Sequence, residues 1–212
     1  MFVLEMAFQL TKRHFCDMGG FIVLQVYTGN GKGKTTAAIG VVVRALGAGL
    51  HVYMMQFMKS LSYSEQRVLQ GFSPQLKFKT TGKPFFVAKQ GMLSPAEQKA
   101  WGTKVVVFPP GKPPANYVHL MQKSVKEAAL ATVTGKYDIL VLDEINVALF
   151  YGLLLQKDVE ALLRTVPGAT EIIMTGRAAP DWLIEKADLV TEMKEIKHYY
   201  TKGISARKGI EN

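Results

Sequence analysis

A single cysteine, Cys16, stands among 212 residues, which excludes an intrachain disulfide and any metal cluster built from cysteine alone. The four histidines, His14, His51, His119 and His198, have no metal-ligand spacing, so no zinc held by the chain's own side chains is expected. No uninterrupted apolar run approaches the ~18 residues a membrane-spanning helix needs. Acidic residues are also short: 17 Asp and Glu stand against 26 Lys and Arg, a net charge of +9. A surface of that sign attracts anions of any kind, from nucleotides and nucleic acid to acidic proteins and membrane headgroups. The opening MFVLEMAFQLTKRHF has Glu5 inside its apolar stretch and its cations after it. That order is the reverse of a secretory leader, and it predicts a cytoplasmic protein. What the chain does have is apolar mass, 48% hydrophobic against 20% charged. That is enough for a real core and incompatible with disorder throughout.

Strand-like apolar runs recur at Ile22–Tyr27, His51–Phe57, Asp138–Leu142, Glu171–Met174 and Asp188–Met193, with helical patterns between them such as Thr35–Leu46 and Asp158–Arg164. Strands alternating with helices predict an α/β fold, a mostly parallel sheet with helices on both faces. The wholly apolar Ile139-Leu140-Val141-Leu142 reads as a central strand. Residues 71–115 break the rhythm. They hold seven of the nine prolines and five glycines, which predicts a loop-rich excursion of the kind that serves as a lid or binding surface. Residues 1–20 form a greasy amphipathic arm ahead of one domain, 21–212.

The stretch Thr28-Gly29-Asn30-Gly31-Lys32-Gly33-Lys34-Thr35-Thr36 follows an apolar strand and opens a helix. That is the context of the G-x-x-x-x-G-K-[ST] phosphate loop, with Thr28 at the position of the first glycine. Glycines let backbone N–H groups curl around phosphate oxygens, and the helix N-terminus adds its positive dipole end. Lys34 supplies a charge for the terminal phosphates, and the Thr35 hydroxyl suits Mg²⁺. A second element, Tyr137 to Glu144, is a buried strand ending in Asp143 and Glu144, the place where such a site finds carboxylates for the metal. Neighbours in an extended strand point to opposite faces, so only one can touch the metal directly unless the strand ends between them. A third candidate is Arg177, after the strand Glu171–Met174, where ligands gather in doubly wound sheets and guanidinium grips phosphate bidentately.

Taken together, VYTGNGKGKTTAAIG, QFMKS, LVLDEIN, MTGR and the terminal ADLVTEMKEIKHYYTKGISARKGIE resemble the P-loop corrinoid adenosyltransferases of the CobA/CobO/BtuR type, from about Gly20 to Glu211. Thr28 is part of that family's pattern. The resemblance implies a RecA-like three-layer architecture. It also implies transfer of the 5′-deoxyadenosyl group of ATP to cob(I)alamin or a corrinoid precursor such as cob(I)yrinic acid a,c-diamide, with release of triphosphate. ATP would lie reversed in the loop, because the electrophile is the ribose C5′ and not the γ-phosphorus.

On this reading Gly29, Asn30, Gly31, Lys32, Gly33, Lys34, Thr35 and Thr36 cradle the phosphates. Lys34, Thr35 and Glu144 carry the chemistry. Thr35 and Glu144 contact Mg²⁺, with Asp143 acting directly or through water, and Arg177 completes the anion clamp. Phe85 and Phe86 stand where family members use aromatics to strip the axial ligand from cobalt(II). The arm either caps its own domain or covers a neighbour's site, and the resemblance favours a homodimer with the arm over the partner's corrinoid pocket; the basic surface would suit an acidic flavoprotein as electron donor, and neither membrane nor nucleic acid is implied. The competing readings are a P-loop ATPase or kinase that cuts at the γ-phosphate, and a RecA-like nucleic-acid-dependent ATPase using the basic surface and the Tyr199-Tyr200 tail. Intact triphosphate as product separates the first, and DNA- or RNA-stimulated hydrolysis the second.

Overall fold

The computed structural model describes residues 22–60 and 63–211; the arm at 1–20 and the expectation attached to it lie outside them. Six strands form one sheet: β1 (Val23–Thr28), β2 (Val52–Phe57), β3 (Leu76–Thr81), β6 (Ile139–Asp143), β7 (Glu171–Thr175) and β8 (Leu189–Glu192). Their spatial order is β3-β2-β6-β7-β1-β8, and every ladder in this sheet is parallel. A parallel sheet needs a crossover after each strand, which the intervening helices supply.

Alternation along the strands assigns the two faces. Val52, Met54, Ile139, Val141 and Ile173 pack against Ala38, Val42 and Leu46 of α1 (Lys34–Gly47) and Leu69 of α2 (Ser64–Gln70). Tyr53, Met55, Leu140, Leu142 and Ile172 turn the other way. They meet α4 (Ala115–Thr132), α5 (Ile145–Phe150), α6 (Gln156–Thr165) and α7 (Asp181–Lys186). Strands coated on both sides read as unbroken apolar runs, which is why every residue of β2 and of β6 is buried. Each such leucine or isoleucine contributes about 1.5–3 kcal/mol by leaving water.

The proline-rich stretch is more ordered than its composition predicts. Its first strand, β3, joins the main sheet at the edge. Beyond it, β4 (Phe86–Lys89) and β5 (Val105–Phe108) pair as a separate two-stranded parallel ribbon, joined by α3 (Pro95–Trp101). The prolines sit where they do no harm: Pro95 opens α3, whose Ser94 and Glu97 form a capping box, and Pro114 precedes α4. Val87, Ala88 and Phe108 of the ribbon are buried in the main core.

The crossover from β1 through α1 runs to β2 over one face, while those leaving β6 and β7 run over the other. Ligands of open α/β sheets bind at the carboxyl ends of strands where the order reverses in this way.

Candidate nucleotide and corrinoid site

A cleft of about 680 Å³ opens at those carboxyl ends, lined by residues 30–36, Lys59, Tyr63, Glu144, Arg177 and Glu211 among others. The loop after β1 forms its floor. Gly29 and Gly33 have φ of 92° and 119°, conformations that a side chain would strain. The glycines answer a second demand that sequence reasoning missed. A Cβ on Gly29 would lie 2.4 Å from the Met193 carbonyl oxygen, and one on Gly31 would lie 2.8 Å from the backbone of Lys194. The segment after β8 therefore runs directly against the loop. Two bonds stitch them: Gly31 N–H donates to Met193 O at 2.7 Å and Met193 N–H to Thr28 O at 2.9 Å. The Gly31 N–H is thus engaged by the chain itself, and this glycine shapes the cradle rather than lending it a donor. Thr28 also has a task, since its hydroxyl accepts from Ala179 N–H at 3.2 Å.

Helix α1 begins at Gly33 with no capping side chain and no acid in its first turn. Its leading N–H groups keep their hydrogen-bonding capacity for an anion. Lys34 is buried, its ammonium bonded to the carbonyls of Gly29 and Gly31 at 2.7 Å each. Burial holds its pKa below the ordinary lysine value, and Arg177 adds to the effect. Lys32 points elsewhere. Its ammonium reaches Glu211 at 3.0 Å and the Tyr199 hydroxyl at 3.1 Å. Arg207 joins the same carboxylate at 3.1 Å and lies over the Tyr199 ring. Bonds from Arg207 and then Tyr199 push the Glu211 carboxyl far below the usual range. The C-terminal segment therefore forms one wall of the cleft.

The acidic pair resolves as the exceptional case. Strand β6 stops at Asp143, and Glu144 takes the left-handed conformation, φ 65°, at the start of α5. The strand ends between the two, so both carboxylates reach the same region. Asp143 has no exposed surface and is saturated. Oδ1 accepts from Thr35 at 2.9 Å and Thr175 at 2.6 Å, and Oδ2 from Lys59 at 2.9 Å and Gln56 at 3.1 Å. Glu144 is the carboxylate with capacity to spare. Its backbone N–H is tied to the Thr175 hydroxyl at 3.0 Å. Burial, and then repulsion from Asp143, raise its pKa above the ordinary value against the pull of Lys59, Lys34 and Arg177. Thr35 donates its proton to Asp143, which leaves hydroxyl lone pairs for a metal. A hydroxyl and a carboxylate are the hard oxygen donors that Mg²⁺ takes alongside phosphates, so the residues present fit that ion.

Arg177 follows β7 at the cleft margin. Its backbone is set by Gly176, whose N–H donates to Tyr27 O at 3.1 Å and whose carbonyl accepts from buried Asn146 at 3.2 Å. Phe85 and Phe86 part company. Phe85 turns inward, edge-on to buried Tyr117 at 5.7 Å. Phe86 is 55% exposed and stacks edge-on with half-exposed Trp101, 5.1 Å away at the end of α3. Phe85 precedes β4 and Phe86 opens it, and the tryptophan comes from a position that no local motif marks. Lys59, Gln56 and Thr175 were not singled out as site residues, although the QFMKS and MTGR stretches contain them.

Comparison with known proteins identifies the family. The family model of ATP:corrinoid adenosyltransferase BtuR/CobO/CobP matches residues 21–212. A corrinoid adenosyltransferase of Pseudomonas aeruginosa is 34% identical over 190 residues, 89% of this chain and 83% of that protein. One from a Sinorhizobium species is 33% identical over 198 residues, 92% of this chain and 81% of that protein. Corrinoid adenosyltransferase CobA of Salmonella typhimurium is 28% identical over 192 residues, 89% and 85% of the two chains. Among solved structures, a KaiC-like protein of Pyrococcus horikoshii matches with a TM-score of 0.42 and 18% identity, covering 85% of this chain and 77% of that one. The chain belongs to the ATP:corrinoid adenosyltransferase family. Its function is adenosyl transfer from ATP to a corrinoid, in cobalamin biosynthesis. No described helix is long and apolar enough to cross a membrane.

Proposed function

We propose that the triphosphate of ATP lies along residues 29–36 with its ribose turned outward, so that C5′ meets the cobalt(I) of cobalamin or of a precursor such as cob(I)yrinic acid a,c-diamide. The cobalt electron pair forms the cobalt–carbon bond as the C5′–oxygen bond breaks, and the bonding pair leaves on intact triphosphate. Cobalt(I) needs no general base and no activated water. The protein's contribution is alignment, and neutralisation of charge on the leaving group.

The observation that carries this reading is convergence: β1, β2, β6 and β7 bring Lys34, Lys59, Arg177, Thr35 and Glu144 to one cleft beneath an uncapped helix. Lys34 gives up its loop carbonyls for phosphate oxygens. Arg177 closes the clamp from the β7 side. Thr35 and Glu144 hold Mg²⁺ directly, and Asp143 acts at one remove by fixing the Thr35 hydroxyl. Bound there, the ion would neutralise charge on the leaving triphosphate.

Phe86, with Trp101, is the aromatic surface suited to pressing on the corrin face; Phe85 is partly buried against the core. The unit 21–212 carries both substrate sites. The protein works as a cytoplasmic homodimer, and the basic surface receives an acidic flavoprotein donor.

The deciding experiment incubates the protein with ATP and chemically reduced corrinoid. Intact triphosphate and a light-sensitive cobalt–carbon product are expected. ADP and phosphate would refute the reading.

A further inference from the structure

Lys59 lines the cleft, and its nearest partners are the Asp143 carboxylate and the Thr35 hydroxyl. Its side chain is 12% exposed. Its ammonium lies 2.9 Å from Asp143 Oδ2 and 3.5 Å from Thr35 Oγ1, with the Tyr63 ring centred 5.2 Å away. The backbone is forced into place. Met58 before it has φ 58°, and a Cβ on Gly82 would come within 2.7 Å of the Lys59 carbonyl oxygen. Below it, Gln66 donates to Gln56 at 2.9 Å and to Ser60 O at 3.0 Å, and Gln56 donates to Asp143. Strain of this kind persists only where the surroundings fix it.

The cation therefore sits beside a threonine hydroxyl and the buried carboxylate to which that hydroxyl donates. In a phosphate-loop site that position is the natural seat for a divalent cation. We propose that Lys59 is the resident counter-ion of Asp143. It bars a bare divalent cation from that carboxylate and makes metal entry depend on the nucleotide.

The charge count supports this. Lys59 neutralises Asp143 directly, while Lys32, Lys34 and Arg177 stand against Glu65, Glu144 and Glu211 around the cleft. A divalent cation therefore meets no surplus of negative charge, and the polyphosphate brings both that charge and its own oxygens. Among the described residues, no three His, Cys, Asp or Glu side chains converge as a self-sufficient metal site.

The inference rests on the polyphosphate reading above, and the test separates the two. Mn²⁺ is titrated by electron paramagnetic resonance against nucleotide-free wild type and Lys59→Met, with melting in chelator and in Mn²⁺ as a second readout. Wild type should bind Mn²⁺ weakly. Lys59→Met, which leaves Asp143 without its cation, should bind it on the order of ten- to a hundredfold tighter. It should also melt lower in chelator and recover in Mn²⁺, which loss of packing alone would not do. Lys59→Arg keeps the charge and should resemble wild type, and Lys59→Met with Asp143→Asn should lose the gained affinity.

Equal Mn²⁺ affinity in folded Lys59→Met and wild type overturns the assignment. If Lys59→Met does not fold, wild type decides. A nucleotide-free site as tight as that measured with a non-hydrolysable ATP analogue overturns the proposal, and a much weaker one supports it. Wild type that binds no ATP at all defeats the polyphosphate reading and this one together.

Discussion

Lys34 holds the loop by two bonds to its own carbonyls before any phosphate arrives. Lys34→Ala is expected to fold, with a cooperative melt, and to lose at least a hundredfold in transfer rate, since it removes a charge aimed at the leaving group. Near-normal turnover would contradict the loop assignment. Glu144 has the opposite stability sign. Its folded pKa lies above the unfolded one, so the folded state binds the extra proton and loses stability as pH rises through that window. Glu144→Gln should therefore melt higher than wild type at neutral pH without metal. It should show no such advantage below about pH 4, where the carboxyl is protonated in both states. It should still lose transfer.

Phe85 and Phe86 divide by burial. Phe85→Ala should cost about 2–4 kcal/mol in denaturant melts and reduce both assays through instability. Phe86→Ala should leave stability within about 0.5 kcal/mol and impair the reaction starting from cobalt(II) more than that starting from cobalt(I). Equal losses in the two assays would remove Phe86 from any axial-ligand role.

At the scale of elements, the phosphate loop is half of a two-part structure whose other half is the segment after β8. Gly31→Ala is the discriminating change. If the glycine served only to admit phosphate, the substitution would weaken ATP binding and leave the apo melt alone. Because a Cβ there meets the Lys194 backbone at 2.8 Å, the expected outcome is a loss of about 1–3 kcal/mol without nucleotide as well.

This pairing was not legible in the sequence, since nothing in a glycine tells which backbone approaches it. Five of the six strands of the main sheet were legible to within a residue or two, because strands such as β2 and β6 are buried on both faces and apolar but for Gln56 and Asp143; β3 was not marked. The stretch 71–115 was misjudged for an equally physical reason. Its prolines fall at helix starts and in turns, where they punctuate structure rather than abolish it, and β4 and β5 are only four residues each, too short for a period-2 pattern to stand out.

For the whole molecule, the parallel order β3-β2-β6-β7-β1-β8 collects the site from positions far apart in the chain. Local motifs revealed the residues that sit on the loop and on β6. They marked the lysine past β2 without giving its partners, and they did not reveal the Trp101 that shares a surface with Phe86, because tertiary contact alone unites these. Strand β8 is a special case: all four of its residues are exposed, so it adds little to the core, yet it closes the β1 edge. A chain ending at Asp188 is expected to retain its far-ultraviolet dichroism and to lose the rise in melting temperature that ATP gives the complete protein; retention of that rise would show the loop to be self-supporting.

The stitch between Gly31 and Met193 also imposes an order on biogenesis. The phosphate loop leaves the ribosome well before the backbone that braces it. A nascent chain with most of its sheet assembled would still hold a slack, incompetent cradle, so ATP capture must wait until Met193 has been made.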